Sequence, residues 1–179
     1  MSLSENKKQL RQAMRQAKHN YTTDELMRKS VAVVAQLQEQ PLFRAAQTVM
    51  LYYSLPDEVN THALVMQLVQ SKRVILPTIV GQDIVPVEFT GTEQLVEGDF
   101  HIAEPRNAAY TGTFDLIVVP GMAFDASGHR LGRGKGFYDR FLSKHPNVPT
   151  IGLCFDFQLV KEVPAEPFDK PVDYVVCEN

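Results

Sequence analysis

Phe114-Asp115-Leu116-Ile117-Val118-Val119-Pro120-Gly121-Met122-Ala123-Phe124-Asp125-Ala126-Ser127-Gly128-His129-Arg130-Leu131-Gly132-Arg133-Gly134-Lys135-Gly136-Phe137-Tyr138-Asp139-Arg140-Phe141-Leu142 joins an apolar run, a glycine-rich basic loop and an amphipathic segment. The run Phe114 to Val119 predicts a buried parallel strand, and Phe137, Phe141 and Leu142 share one face of a helix. The loop between them therefore sits at a strand's carboxyl end, where open α/β sheets collect ligands. Gly121, Gly128, Gly132, Gly134 and Gly136 let backbone N–H groups crowd toward one point, and the helix dipole adds to that field. With Arg130, Arg133 and Lys135 interleaved, the stretch predicts a phosphate cradle. A mobile strand-to-helix turn is the alternative, since the spacing fits neither Gly-x-x-x-x-Gly-Lys-Ser/Thr nor Gly-x-Gly-x-x-Gly. The flanking strand and helix favour the cradle.

Outward from this stretch, the same alternation recurs. Lys7 to Ala17 places Leu10, Met14 and Ala17 on one face of an amphipathic helix. Thr22-x-x-Glu25 has capping-box spacing and opens a second helix, which carries Leu26, Val33, Val34 and Leu37 to about Gln40, where Pro41 stops it. Thr48 to Tyr53 reads as a buried strand, Ser54 to Asn60 as the loop leaving it, 61–70 as a helix and Arg73 to Pro77 as the next strand, completing a βαβ unit. Ile84 to Phe89 alternates and contains Pro86, so an edge or hairpin strand is expected. Leu95 to Pro105 reads as irregular; Thr150 to Phe155 and Val172 to Val176 are further strands. Together these predict a single domain over 1–179, a three-layer α/β/α sandwich around a mainly parallel sheet. Tyr53 to Glu58, Gly121 to Lys135 and Asp156 are expected near one rim.

Composition bounds the function. A net charge of −3 with 22% charged residues excludes a broad basic surface for nucleic acid or acidic membranes, so the local cations near Gly132 stand out. No apolar stretch reaches the roughly 18 residues of a membrane span, and the polar N-terminus lacks a signal-peptide core, so a cytoplasmic protein is expected. Cys154 and Cys177 lie in separate apolar contexts and read as free buried thiols, and the five histidines are scattered.

The pattern Pro-Gly-x-x-Phe-Asp-x-x-Gly-x-Arg-Leu-Gly-x-Gly-x-Gly-x-Tyr-Asp, met from Pro120 to Asp139, resembles the 5-formyltetrahydrofolate cyclo-ligases, also called 5,10-methenyltetrahydrofolate synthetases. Lys7-x-x-Leu10-Arg11, Asp57-Glu58-x-x-Thr61, Glu104-Pro105 and Asp169-x-x-x-Asp173 support the likeness along nearly the whole chain. The resemblance implies a fold similar to ribose-5-phosphate isomerases and CoA transferases, and an ATP- and Mg²⁺-dependent closure of 5-formyltetrahydrofolate to 5,10-methenyltetrahydrofolate. It implies nucleotide contacts from Lys7, Arg11, Arg130, Gly132, Arg133, Gly134, Lys135, Gly136, Phe137 and Tyr138. Folate would meet Tyr53, Glu58 and the segment Arg133 to Phe137, with Arg133, Lys135 and Glu58 as the catalytic set. Asp139 and Asp169 would be the magnesium carboxylates, with Asp173 near enough in register to replace Asp169. A monomer is expected, with no nucleic-acid or membrane partner.

The chemistry suits these residue types. An N-formyl group is an amide, and its oxygen must be made a leaving group before N10 can close the ring. Aligning that oxygen with a γ-phosphate needs cations and exclusion of water rather than a nucleophilic side chain. Two features depart from the family: Phe137 stands where many members have tyrosine, and Arg133 and Lys135 stand where some members are neutral. A same-fold enzyme acting on a sugar phosphate or CoA ester, and a non-catalytic folate- or nucleotide-binding protein, are the alternatives.

Overall fold

Alternate residues of the central strands face opposite ways and bury both faces of one sheet. In the computed structural model, which describes residues 2–92, 95–97, 103–105 and 108–178, Val49, Leu51, Val74, Leu76, Leu116 and Val118 point to one core. Met50, Ile75, Ile117 and Val119 point to the other. The strands are β1 (Thr48–Met50), β2 (Arg73–Val80), β3 (Asp83–Phe89), β6 (Leu116–Pro120), β9 (Thr150–Leu153) and β10 (Tyr174–Val176), in the order β10-β9-β6-β1-β2-β3. All neighbours pair in parallel except β2 and β3, a hairpin whose outer strand carries Pro86 at the sheet edge.

Helices cover both faces. α2 (Thr23–Glu39), α3 (Pro41–Ala45) and α4 (His62–Leu68) bring Val33, Leu37, Phe43, Leu64, Val65 and Leu68 to the first core. α5 (Phe137–Lys144) brings Phe141 and Leu142 to the second. The expected three-layer α/β/α arrangement is the observed one. α1 (Leu3–Lys18) buries no residue fully; Leu10 and Met14 rest on a small ribbon made by β7 (Ala123–Phe124) and β8 (Arg130–Leu131). From β1 the chain moves outward to β2 and β3, then returns to β6 beside β1 and moves the other way to β9 and β10. The order therefore reverses between β1 and β6, which makes their carboxyl ends the switch point of the sheet.

Several boundaries differ from the sequence expectation. Pro41 stops α2 as expected, with Gln40 extended ahead of it, but, lacking an N–H that the first turn would not use, it also opens α3, which the sequence reading did not include. α1 begins at Leu3 because Ser2 and Glu5 form a capping box ahead of Lys7. β1 stops at Met50; Leu51 still donates to Ile75, but Tyr52 and Tyr53 turn away toward the rim. Leu95 to Pro105 is not wholly irregular, since β4 (Leu95–Glu97) and β5 (Ala103–Pro105) pair antiparallel, while 98–102 lie outside the described residues. Among the described residues no helix is long and apolar enough to cross a membrane. Cys154 is buried, Cys177 is partly exposed, and both are free thiols.

Phe124 seals the second core by lying against two glycines. A Cβ on Gly152 would sit 2.3 Å from its ring, and one on Gly121 2.6 Å. Gly152→Ala is therefore expected to cost about 1–3 kcal/mol by overpacking. Urea unfolding should show a lower midpoint at an unchanged slope.

Candidate functional site

The loops leaving β1 and β6 enclose a cleft of about 1030 Å³, at the large end of small-molecule sites. Its wall includes Lys7, Arg11, Tyr53, Glu58, Arg130, Asp139 and Asp169, together with the unbroken segment from Gly132 to Tyr138. The residues nominated for nucleotide, folate and metal, Asp173 apart, thus reach one cavity, although they come from α1, two strand-end loops, α5 and the segment before β10. Asp173 does not. It accepts bonds from the Thr150 N–H and hydroxyl, both at 2.8 Å, and so ties together the amino ends of β9 and β10, the opposite end of the sheet from the cleft. Asp156 is also absent from the cleft wall and pairs with Lys29 at 2.9 Å.

The β6 loop is shaped by Asp125, a buried carboxylate that accepts from the N–H groups of Ser127, His129 and Val163 and from the His129 ring. Burial pushes this carboxyl up, but the donors outweigh it and hold it below the ordinary range. Past this turn, Gly136 caps α5 in the left-handed region (φ +69°) and offers no side chain to the first-turn N–H groups. Those donors face the cleft wall unfilled by any capping side chain, which is the arrangement an anion requires. Arg130 donates to Asp139 at 3.0 Å, but its buried Nε and the buried Tyr138 hydroxyl have no hydrogen-bond partner among the described residues. Two such atoms in a cleft wall are groups that a polar ligand would satisfy.

Across the cleft, the β1 loop is held by Thr61, whose hydroxyl donates to the Tyr52 carbonyl at 2.5 Å and accepts from the Ser54 N–H. The Tyr53 ring stacks on His62 with centroids 3.8 Å apart. Asp57 and Glu58 follow. Arg133 pairs with Asp57 and, at 3.3 Å, with Glu58, while Lys18 reaches Asp57 at 2.9 Å. Burial pushes Asp57 up, yet Arg133 and Lys18 bring it below its usual value. Glu58 goes the other way: burial raises it, and its bond from the Leu55 N–H and the charge of Arg133 only partly compensate. Adjacent carboxylates thus differ in proton affinity because only one of them is well paired.

The cations do not all stand ready as the sequence suggested. Arg133 is engaged by Asp57 and Glu58, and Lys7 by Glu166 and Asp169 at 2.6 and 2.5 Å. Arg11 donates to the Gly132 carbonyl at 2.8 Å and has no ion-pair partner within 4 Å among the described residues, feeling Asp169 only at longer range. Lys135 is exposed and has no ion-pair partner among the described residues. Asp57, Lys18, Glu166 and Phe168 went unassigned by sequence, although Asp57 lies within the quoted Asp57-Glu58-x-x-Thr61 pattern. For the others no local signal exists.

Asp139 takes the Arg130 guanidinium and the Lys170 N–H on Oδ1 alone, and Asp169 takes Lys7 and the Glu166 N–H on Oδ2 alone. Each has a second oxygen without a hydrogen bond among the described residues. Among the same residues no group of three or more His, Cys, Asp and Glu side chains converges on a metal position. Two carboxylates that each keep one oxygen suit Mg²⁺, which takes one or two of them together with phosphate oxygens and water.

Over residues 3–178 the chain matches the model of the 5-formyltetrahydrofolate cyclo-ligase family. A 5-formyltetrahydrofolate cyclo-ligase of Escherichia coli (strain K12) is 30% identical over 176 residues, spanning 93% of this chain and 97% of that protein. The mouse protein of the same name is 28% identical over 190 residues, spanning 97% and 94%. The NMR structure of Aquifex aeolicus 5,10-methenyltetrahydrofolate synthetase superposes with a TM-score of 0.80 at 33% identity, covering 98% of this chain and 89% of that one.

The opposed carboxylates predict a pH signature. A group whose folded value is raised, as for Glu58, contributes stability that is full below its ordinary value of 4.5 and is lost as pH rises through the folded value. Glu58→Gln mimics the protonated form at every pH. The stability of wild type relative to this variant should therefore decline as pH rises above the ordinary value of 4.5, and level off once the folded group is ionised, in urea titrations. A flat difference would place Glu58 in a well-compensated environment instead.

Proposed function

The chain belongs to the 5-formyltetrahydrofolate cyclo-ligase family, and from that membership we propose how it closes 5-formyltetrahydrofolate to 5,10-methenyltetrahydrofolate while ATP becomes ADP and phosphate. The observation that carries the assignment to this cleft is convergence: Lys7, Arg11, Tyr53, Glu58, Gly132 to Asp139 and Asp169 line a single cavity at the switch point. This favours the ligase over an enzyme of sugar phosphates or CoA esters and over a non-catalytic binder, neither of which needs a cation-lined half and an aromatic, acidic half in one cavity.

The triphosphate lies along the Gly132 to Gly136 loop, against the N-terminus of α5, with Arg11, Arg130 and Lys135 supplying positive charge. Asp139 and Asp169 would hold Mg²⁺, which when bound offsets triphosphate charge. Folate lies toward Tyr53 and Glu58, its ring against Phe137 and the apolar wall of Ile79 and Ile84. The formyl oxygen attacks the γ-phosphorus and ADP leaves; N10 adds to the activated formyl carbon and loses its proton; phosphate then departs with the former formyl oxygen. The chain's contribution is alignment, charge and exclusion of water. Glu58 orients the reduced pterin or N10 by hydrogen bonding. Arg133 must exchange Asp57 for phosphate to serve the nucleotide, so its part is taken up on ATP binding. The phenyl face of Phe137 suffices for its contact, with no hydroxyl needed. Since one chain supplies the whole wall, a monomer is self-sufficient.

Purified protein with ATP, Mg²⁺ and 5-formyltetrahydrofolate is expected to form the methenyl chromophore with one ADP per folate, and neither product when a component is omitted. ATP splitting without folate, or folate binding without the chromophore, would overturn the assignment. Lys135→Ala should weaken ATP use about ten- to a hundredfold, the loss of one charge-assisted phosphate contact. Its unfolding transition should match wild type, because Lys135 is exposed and makes no ion pair among the described residues. Glu58→Gln should depress turnover far more than ATP binding, as measured by titration with ADP.

A further inference from the structure

The helix α1 lies along the cleft like a ruler. Lys18 meets Asp57 at one end, Arg11 meets Gly132 in the middle, and Lys7 meets Asp169 near the other end, with Ser4 also in the cleft wall. Lys18 and Lys7 are separated by about 16 Å of helix, and Arg11 and Lys7 by about 6 Å. If folate occupies the Asp57–Glu58 end and the triphosphate the glycine loop beside Arg11, the nucleotide's base falls beyond Lys7. What stands there is Phe168, whose ring is 65% exposed and borders the cleft. Lys7 Nζ lies 5.6 Å from its centroid, and Asp169, the next residue, is the carboxylate that holds Lys7.

An isolated exposed aromatic is ordinary on a protein surface and needs no explanation. This one differs in position. It is linked to the proposed phosphate track through Lys7, whose Nζ lies over its ring, and is otherwise largely exposed in a cavity whose wall also includes polar Ser4 and Glu166. A planar, uncharged heteroaromatic ring fits between such a face and such a rim, whereas phosphate gains nothing from it. Resting on the assignment of ATP to this cleft, we propose that Phe168 is the stacking platform for the adenine ring and thereby fixes which end of the cleft the nucleotide enters.

The chain contains no tryptophan, so Phe168→Trp introduces a single indole at the proposed contact. With Mg²⁺ present, ADP should quench its fluorescence saturably, tripolyphosphate should not, and tripolyphosphate should reverse the ADP effect by competing for the same loop. In Phe168→Ala, calorimetric titration should show ADP affinity reduced about tenfold or more, the scale of losing one base stack, with tripolyphosphate affinity unchanged. Quenching by 5-formyltetrahydrofolate but not by ADP, an unchanged ADP affinity in Phe168→Ala, or an equal loss for ADP and tripolyphosphate would each overturn the proposal. Failure of the wild-type protein to bind either ADP or tripolyphosphate would instead remove the nucleotide from the cleft altogether.

Discussion

The arrangement of the rim depends on how α1 is held. With no residue fully buried, that helix gains little from apolar packing beyond Leu10 and Met14, and its register is set by partly buried cations. Lys18 is neutralised by Asp57 and Lys7 by Glu166 and Asp169, so both ends are anchored to loops from opposite parts of the chain. Arg11, between them, donates to a carbonyl and to no carboxylate among the described residues. A guanidinium held in place by a carbonyl is a standing attraction for an anion, since burial and neighbouring Arg15 disfavour its charge and the more distant Asp169 offsets them only in part.

The same logic separates the two carboxylates of the β1 loop. Asp57 receives Lys18 and Arg133 and stays ionised easily, while Glu58, one residue on and more buried, is pushed toward its protonated form. Pairs of acids whose environments drive their proton affinities apart are a recurrent feature of catalytic sites. Arg133 links both to the glycine loop across the cleft, so the β1 loop and the glycine loop share one cation. Lys135 has no such tie, which makes the two loop cations physically unlike despite their neighbouring places in the sequence.

The sheet supplies the floor on which these loops stand. Because β1 and β6 are adjacent and their connections leave in opposite directions, the strand ends diverge and leave a crevice that neither helix layer fills. The flanking cores are close-packed up to that edge, with Phe124 pressed between Gly121 and Gly152 directly below the β6 loop. A loop built on such a floor can use glycines for close approach to a ligand without losing its position.

Much of this was legible in the chain itself. The Thr22–Glu25 capping box, the apolar run before Pro120, the hairpin strand with Pro86 and the helix after Gly136 appear where expected. They do so because caps, strand alternation and helical periodicity are interactions among residues a few positions apart. What was missed is local competition too: Pro41, which stops α2 as expected, is as good a helix start as a helix stop and opens α3, and the pairing of Leu95–Glu97 with Ala103–Pro105 had too few residues to show a period. By itself, then, the sequence determined the layered α/β fold, the glycine-rich loop at a strand end and the family. Only the tertiary structure decided that Asp173 belongs to the far end of the sheet, that Arg133 is tied to Asp57, and that Phe168 stands in the cleft wall. Lys7 and Asp169 are 162 residues apart, and nothing along the chain sets their distance until the sheet has assembled and brought their segments to one rim.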